Sequence, residues 1–186
     1  MEYISLGSTC AVANYLKKYD HIRYPFDWCN INIKQLNRVL ENDFDNFNDV
    51  QYYKLSNNHK HLETDNESII VKNKYNITFA HEIANKYEID EFKTKLEKRI
   101  NQFKTTKKPY FIRFEYGNCK SYYNEEFYKL YKYLESHYSS FKLLIIVPNN
   151  GTWNVPHTNV IYYPINEYID WKYENIFNVL DNILTY

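Results

Sequence analysis

Glycine is almost missing: three of 186 residues, at positions 7, 117 and 151. So few leave little room for loops that cradle phosphate, and no G-x-G-x-x-G, Walker or G-x-S-x-G pattern is present. No charge sign dominates, with 23 Lys and Arg against 23 Asp and Glu. A neutral chain has no global field for nucleic acid or an anionic membrane. The longest apolar runs, such as Leu143 to Val147, fall far short of a membrane span. Three cysteines make no disulfide framework, and their odd number leaves one unpaired. Together with an N-terminus that lacks a secretory pattern, this predicts a soluble cytoplasmic protein without nucleic-acid or membrane partners.

What is present alternates between short apolar runs and amphipathic stretches. Tyr3–Leu6, Tyr110–Phe114, Leu143–Val147 and Val160–Tyr163 read as strands. Helical spacing marks Ala11–Lys18, Ile33–Leu40, a stretch capped by Asp90, another capped by Asn124, and Tyr173–Leu184. Residues 68–71 and 75–80 suggest an antiparallel hairpin, whereas Asn57–Glu67 reads as an exposed polar loop. Phe44 and Phe47 look like anchors in a loop over 43–50. Strands separated by helices predict one α/β domain over 1–186. Its sheet should be open and mainly parallel, with helices on both faces in a three-layer, Rossmann-like or flavodoxin-like arrangement.

Such sheets bind ligands beyond the carboxyl ends of their strands. That rim collects Gly7-Ser8-Thr9-Cys10, then His81 and Glu82, then Glu115-Tyr116-Gly117-Asn118, then Asn149 and Asn150. Cysteine, histidine and a carboxylate are the parts of a thiol nucleophile, its base and the group that orients the base. Cys10 is placed where a helix dipole favours a thiolate, with Ser8 or Thr9 as N-cap. Backbone N–H groups around Thr9 to Ala11 could form an oxyanion hole. Asp27, between Phe26 and Trp28, is a candidate to orient His81 or to cap a helix near Ile31. Arg113 could reach the rim and hold an anion. Cys29 and Cys119 read as structural thiols. His59-Lys-His61-x-Glu63 has a metal-like spacing but sits in a polar loop without a further ligand, so neither metal nor cofactor is expected.

Ser5-Leu-Gly-Ser-Thr-Cys10, Tyr24-Pro-Phe-Asp-Trp28, Phe79-Ala-His81-Glu82, Lys98-Arg99-Ile100 and Phe111-Ile-Arg113 resemble a family of bacterial and large DNA virus proteins. Its members are labelled putative papain-like cysteine peptidases. The resemblance implies Cys10 as nucleophile and His81 as base, with Asp27 the other motif-borne polar group. Papain-like enzymes set the cysteine on a long helix and the histidine on an antiparallel barrel. The alternating pattern here shares with them chiefly the order Cys then His.

The resulting expectation is a thiol-dependent hydrolase or acyltransferase acting on a peptide, ester or glycan-linked substrate. Cys10, His81 and Asp27 are its catalytic candidates, and Ser8, Thr9, Arg113, Glu115 and Asn149 are its substrate-binding candidates. The rivals are a non-catalytic module for an anionic or sugar ligand, and a glycan- or nucleotide-related transferase.

Overall fold

The computed structural model describes residues 2–19, 21–64, 66–115, 123–148, 157–165 and 174–184. In chain order the first elements are β1 (Glu2–Ser5), α1 (Ala11–Leu16), β2 (Cys29–Asn30), α2 (Ile33–Glu41), β3 (Gln51–Lys60) and β4 (Glu67–Lys72). There follow β5 (Thr78–Phe79), α3 (Ile89–Thr105), β6 (Pro109–Phe114), α4 (Tyr123–His137), β7 (Lys142–Pro148), β8 (Val160–Ile165) and α5 (Glu174–Leu184).

The continuous apolar runs become a four-stranded parallel sheet in the order β1-β6-β7-β8. Burial on both faces is why β6 and β7 read as unbroken hydrophobic stretches. Phe111, Leu143, Ile145 and Val147 enter one buried cluster with α2, α3 and α4. Their neighbours Tyr110, Ile112, Phe114, Leu144 and Ile146 enter a second, with Val12, Tyr15 and Leu16 of α1 and Ile176 and Leu180 of α5. Successive strand residues point to opposite faces, so one sheet serves two cores.

The expected single, mainly parallel sheet needs correcting. A second four-stranded sheet, antiparallel throughout, runs β2-β5-β4-β3. The anticipated hairpin is part of it, with Val71 opposite Phe79 and Lys72 opposite Thr78. Chain length explains the geometry. A parallel crossover needs a dozen residues or more, and only positions 73–77 separate β4 from β5. Asn73 holds that return together: its side-chain oxygen accepts from the Tyr75 and Ile77 amides, and its nitrogen donates to the Phe47 carbonyl. Ile69, Val71, Ile77 and Phe79 of this region share the larger core with Ile4 and Phe111 of the parallel sheet. The fold is therefore mixed α/β.

Where a loop is expected from Asn57, strand β3 extends to Lys60. Most of its described side chains are exposed, so it lacks the apolar alternation that marks a half-buried strand. Phe44 and Phe47 do anchor their loop, ringing Phe26 together with Phe103 at centroid distances of 5.5–5.6 Å.

Candidate active site

The site begins where β1 leaves the sheet. Gly7 has φ +74°, and a Cβ there would lie 2.3 Å from Ile31 Cγ2 and 3.3 Å from the Phe26 carbonyl oxygen. Conformation and space both demand glycine at this position. Ser5 Oγ accepts from the Gly7 amide at 3.2 Å, tightening the turn. Ser8 also has positive φ, +84°. Thr9 Oγ1 then accepts the Ala11 amide at 3.3 Å, while Cys10 occupies the N-cap position of α1 without a side-chain cap bond. The S-L-G-S-T-C motif is thus a fold-determined turn that sets Cys10 at the helix start, partly exposed.

The second motif packs directly against the first. Tyr24, Phe26 and Asp27 are buried, and Trp28 is nearly so, in a left-handed conformation with φ +58°. Asp27 Oδ2 accepts from the Tyr24 amide at 2.8 Å and pairs with His21 Nε2 at 3.0 Å. Its Oδ1 is buried without a hydrogen-bond partner. Asp27 therefore orients His21. No hydrogen bond joins it to His81 among the described residues. His21 escapes sequence reading because it lies in an irregular stretch outside both motifs. A histidine six residues before a buried Asp is the signal that was available.

Cys10 does not rest as a helix-stabilised thiolate. Burial pushes its thiol up to about 12, and the Glu82 and Asp27 carboxylates reinforce the shift. Desolvation disfavours the anion, and like charges add to it. A helix of six residues is too short to reverse the balance. Cys29, wholly buried, donates its thiol to the Phe26 carbonyl at 3.2 Å and is held well above the ordinary thiol range, chiefly by burial. It fits its expected structural role.

His81 follows β5 of the antiparallel sheet. Its Nδ1 donates to the Lys60 carbonyl at 2.9 Å, so that in the neutral ring Nε2 is the acceptor nitrogen, without a hydrogen-bond partner among the described residues. Trp28 and His59 pack against its ring edge-to-face, at 5.7 and 4.9 Å. Burial and the neighbouring His81 lower the His59 pKa, so that ring is neutral near pH 7. No hydrogen bond joins His81 to Cys10 among the described residues. Glu82, buried, receives a two-pronged contact from Arg99 at 2.6 and 3.0 Å and a third bond from Arg23 at 3.3 Å.

Arg113 is completely buried and faces inward. Its guanidinium donates to Glu115 Oε2 at 2.9 and 2.7 Å, to the Leu6 carbonyl at 2.7 Å and to the Ile31 carbonyl at 2.9 Å. It ties the ends of β1, β2 and β6 together, and Glu115 neutralises it. Asn149 and the glycine-asparagine pairs at 117–118 and 150–151 lie outside the described residues, as does Cys119. No group of three or more His, Cys, Asp or Glu side chains could hold a metal among the described residues. Of the residues in the His59-to-Glu63 spacing, His59 bonds Ser56 and His61 bonds Thr64. No described helix is long and apolar enough to cross a membrane.

A turn built to present one cysteine, backed by a buried P-F-D-W segment, is a specific combination to compare with known proteins. Residues 1–149 match the family profile described as "Putative papain-like cysteine peptidase (DUF1796)". The chain belongs to this family. A relative, "Uncharacterized protein R408" of Acanthamoeba polyphaga mimivirus, is 28% identical over 209 residues, spanning 97% of this chain and 88% of that protein. No solved structure matches the chain. The family description is of a cysteine peptidase, and thiol-dependent hydrolysis is the class of chemistry it points to; His81, expected on the rim of the parallel sheet, instead leaves the antiparallel one.

Proposed function

We propose that the protein is a thiol-dependent hydrolase or acyltransferase, with Cys10 as nucleophile and His81 as general base. The observation that carries this reading is the Gly7-to-Cys10 turn, whose strained backbone presents a single thiol at the carboxyl edge of β1. Strained residues of this kind concentrate at functional sites.

The raised thiol pKa decides how the chemistry would run. Cys10 holds its proton at rest, so attack is coupled to proton removal rather than preceded by it. His81 Nε2, the acceptor nitrogen of the neutral ring, accepts that proton as sulfur bonds the substrate carbonyl carbon. The imidazolium returns it to the leaving group, and water releases the acyl product by the reverse path. Catalytic hydrogen bonds are often long before substrate binds, and the approach of His81 to Cys10 is the movement this scheme requires. The Thr9 and Cys10 amides, which carry no partner among the described residues, are the candidates to receive the oxyanion. Asp27 acts on the thiol through its charge and on the loop through Tyr24 and His21, so the role of orienting His81 passes to the Lys60 carbonyl.

The buried, internally paired Arg113 speaks against the rival binding module, which needs that guanidinium for an anion. A panel of small esters, thioesters and peptides tests the proposal. Cys10→Ala should abolish turnover and His81→Ala should reduce it about 100-fold or more, both without loss of fold. Full activity in Cys10→Ala overturns it. If His21→Ala removes activity while His81→Ala does not, the base has been misassigned.

A further inference from the structure

The antiparallel sheet ends in a strand that is unusually uncovered. Among the described residues β3 pairs only with β4, through Gln51–Lys72 and Tyr52–Val71, then past a register shift at Tyr53 through Lys54–Ile70 and Leu55–Ile69, and past a second shift at Lys60–Glu67. The outer backbone edge from Gln51 to Leu55 has no backbone partner among the described residues. Its side chains do not close that edge. Tyr52, Tyr53 and Leu55 are 38%, 51% and 64% exposed. An edge strand with exposed large apolar groups invites pairing with another chain.

The strand itself carries charge of one sign. β3 contains Lys54 and Lys60 and no acid, while Lys72 and Lys86 lean over its tyrosines. Lys86 Nζ stands 4.0 Å above the Tyr52 ring, and Lys72 Nζ stands 4.9 Å from the Tyr53 ring. None of these four lysines forms an ion pair with a described residue. Of the acids beside the strand, Asp49 pairs with Lys93, and Glu67 lies opposite Lys60 at the far end. A groove of about 260 Å³ opens beside Tyr52, Tyr53, Lys72 and Lys74, with Asp49 at its wall.

We propose that the free edge of β3 docks an extended acidic polypeptide, the substrate segment of the thiol site. Strand addition uses main-chain hydrogen bonds for affinity and alternate side chains for selection. The outward amides and carbonyls of Gln51 to Leu55, on either side of the register shift at Tyr53, are matched by another polypeptide and by no nucleic acid. A second copy of this chain is the wrong occupant, since another β3 brings two more lysines and no carboxylate to the edge. Carboxylates on the incoming strand meet Lys54, Lys72 and Lys86 instead. The bulged end of β3 leads toward the site: His59 packs on His81, and the Lys60 carbonyl holds the His81 ring. The link to catalysis rests on the hydrolase reading, whereas the docking itself does not.

Binding is measured on the full chain carrying Cys10→Ala, by fluorescence anisotropy with a labelled, end-capped peptide of alternating Glu and Val. The peptide should bind, and should bind more weakly as salt rises. Methylating its alternate amide nitrogens, or introducing Lys54→Glu with Lys72→Glu, should each weaken binding by about tenfold. Tyr53→Ser supplies a second surface variant with the same expected direction. The proposal is overturned if the acidic peptide does not bind, if the methylated peptide binds equally well, or if oligothymidylate of equal charge binds as tightly. A wild-type enzyme that turns over small thioesters without binding the peptide would sink the docking strand and leave the hydrolase standing. Binding with no turnover of any acyl substrate would do the opposite.

Discussion

Alkylation of Cys10 by iodoacetamide, followed against pH, exposes the electrostatics of the site. With its pKa pushed up to about 12, the thiol is ionised in roughly one molecule in 30,000 at pH 7.5. An unperturbed thiol of pKa about 8.5 is ionised in roughly one in ten, so Cys10 should react about 3,000-fold more slowly than free cysteine. The rate should climb about tenfold per pH unit without levelling below pH 10. Because burial is the leading cause and Asp27 only the third, Asp27→Asn should recover only part of this, about three- to tenfold at fixed pH. Mass spectrometry of the Cys10 peptide gives the rate separately from Cys29 and Cys119. A plateau below pH 8.5 would show a preformed thiolate and refute the argument that burial and two carboxylates outweigh the helix start.

Three further outcomes follow from the same geometry. Gly7→Ala must accept a left-handed backbone and a Cβ 2.3 Å from Ile31, which should cost about 2–5 kcal/mol in a denaturant melt. Arg113→Met strands the buried Glu115 and two carbonyls and should cost about 3–5 kcal/mol, with much of the loss regained in the Arg113→Met, Glu115→Leu double variant. Stability should fall as pH rises above about 9, because Cys10, Cys29, Tyr24 and Tyr138 all hold protons more tightly folded than unfolded. In that window the unfolded chain binds fewer protons, so the melting temperature drops. A flat profile between pH 9 and 11 would contradict these burials.

The parts of this fold that could be read from sequence are those in which one residue pattern has one structural outcome. Leu143 to Val147 could only be a strand buried on both faces, and Ile33, Leu36, Val39 and Leu40 only one side of a helix. Asn32 and Gln35 close a capping box at the start of that helix. The antiparallel sheet was harder. β2 and β5 have two residues each, too short for any periodicity, and β3 is polar because it lies at an edge. Their pairing is a tertiary fact that leaves no local trace.

The site divides the same way. Cys10, Asp27 and His81 stand out as chemistry-bearing residues in compact motifs. Which histidine the Asp27 carboxylate meets depends on how residues 21–28 run back along the core, and that path gave the bond to His21. Arg113 illustrates the opposite error, since an arginine at a strand end looks like an anion site until three elements converge on it. The thiol pKa is likewise invisible locally, because Glu82 approaches from 72 residues away in the chain. One feature of the papain-like label does find an echo: the cysteine opens a helix and the histidine leaves an antiparallel sheet.

Acid-quenched mass spectrometry during turnover of an activated acyl thioester tests the central claim most directly. A transient acyl mass is expected on the peptide containing Cys10, absent in Cys10→Ser and slow to form in His81→Ala. Turnover that proceeds with no acyl group on Cys10, or with the group on another residue, would contradict it.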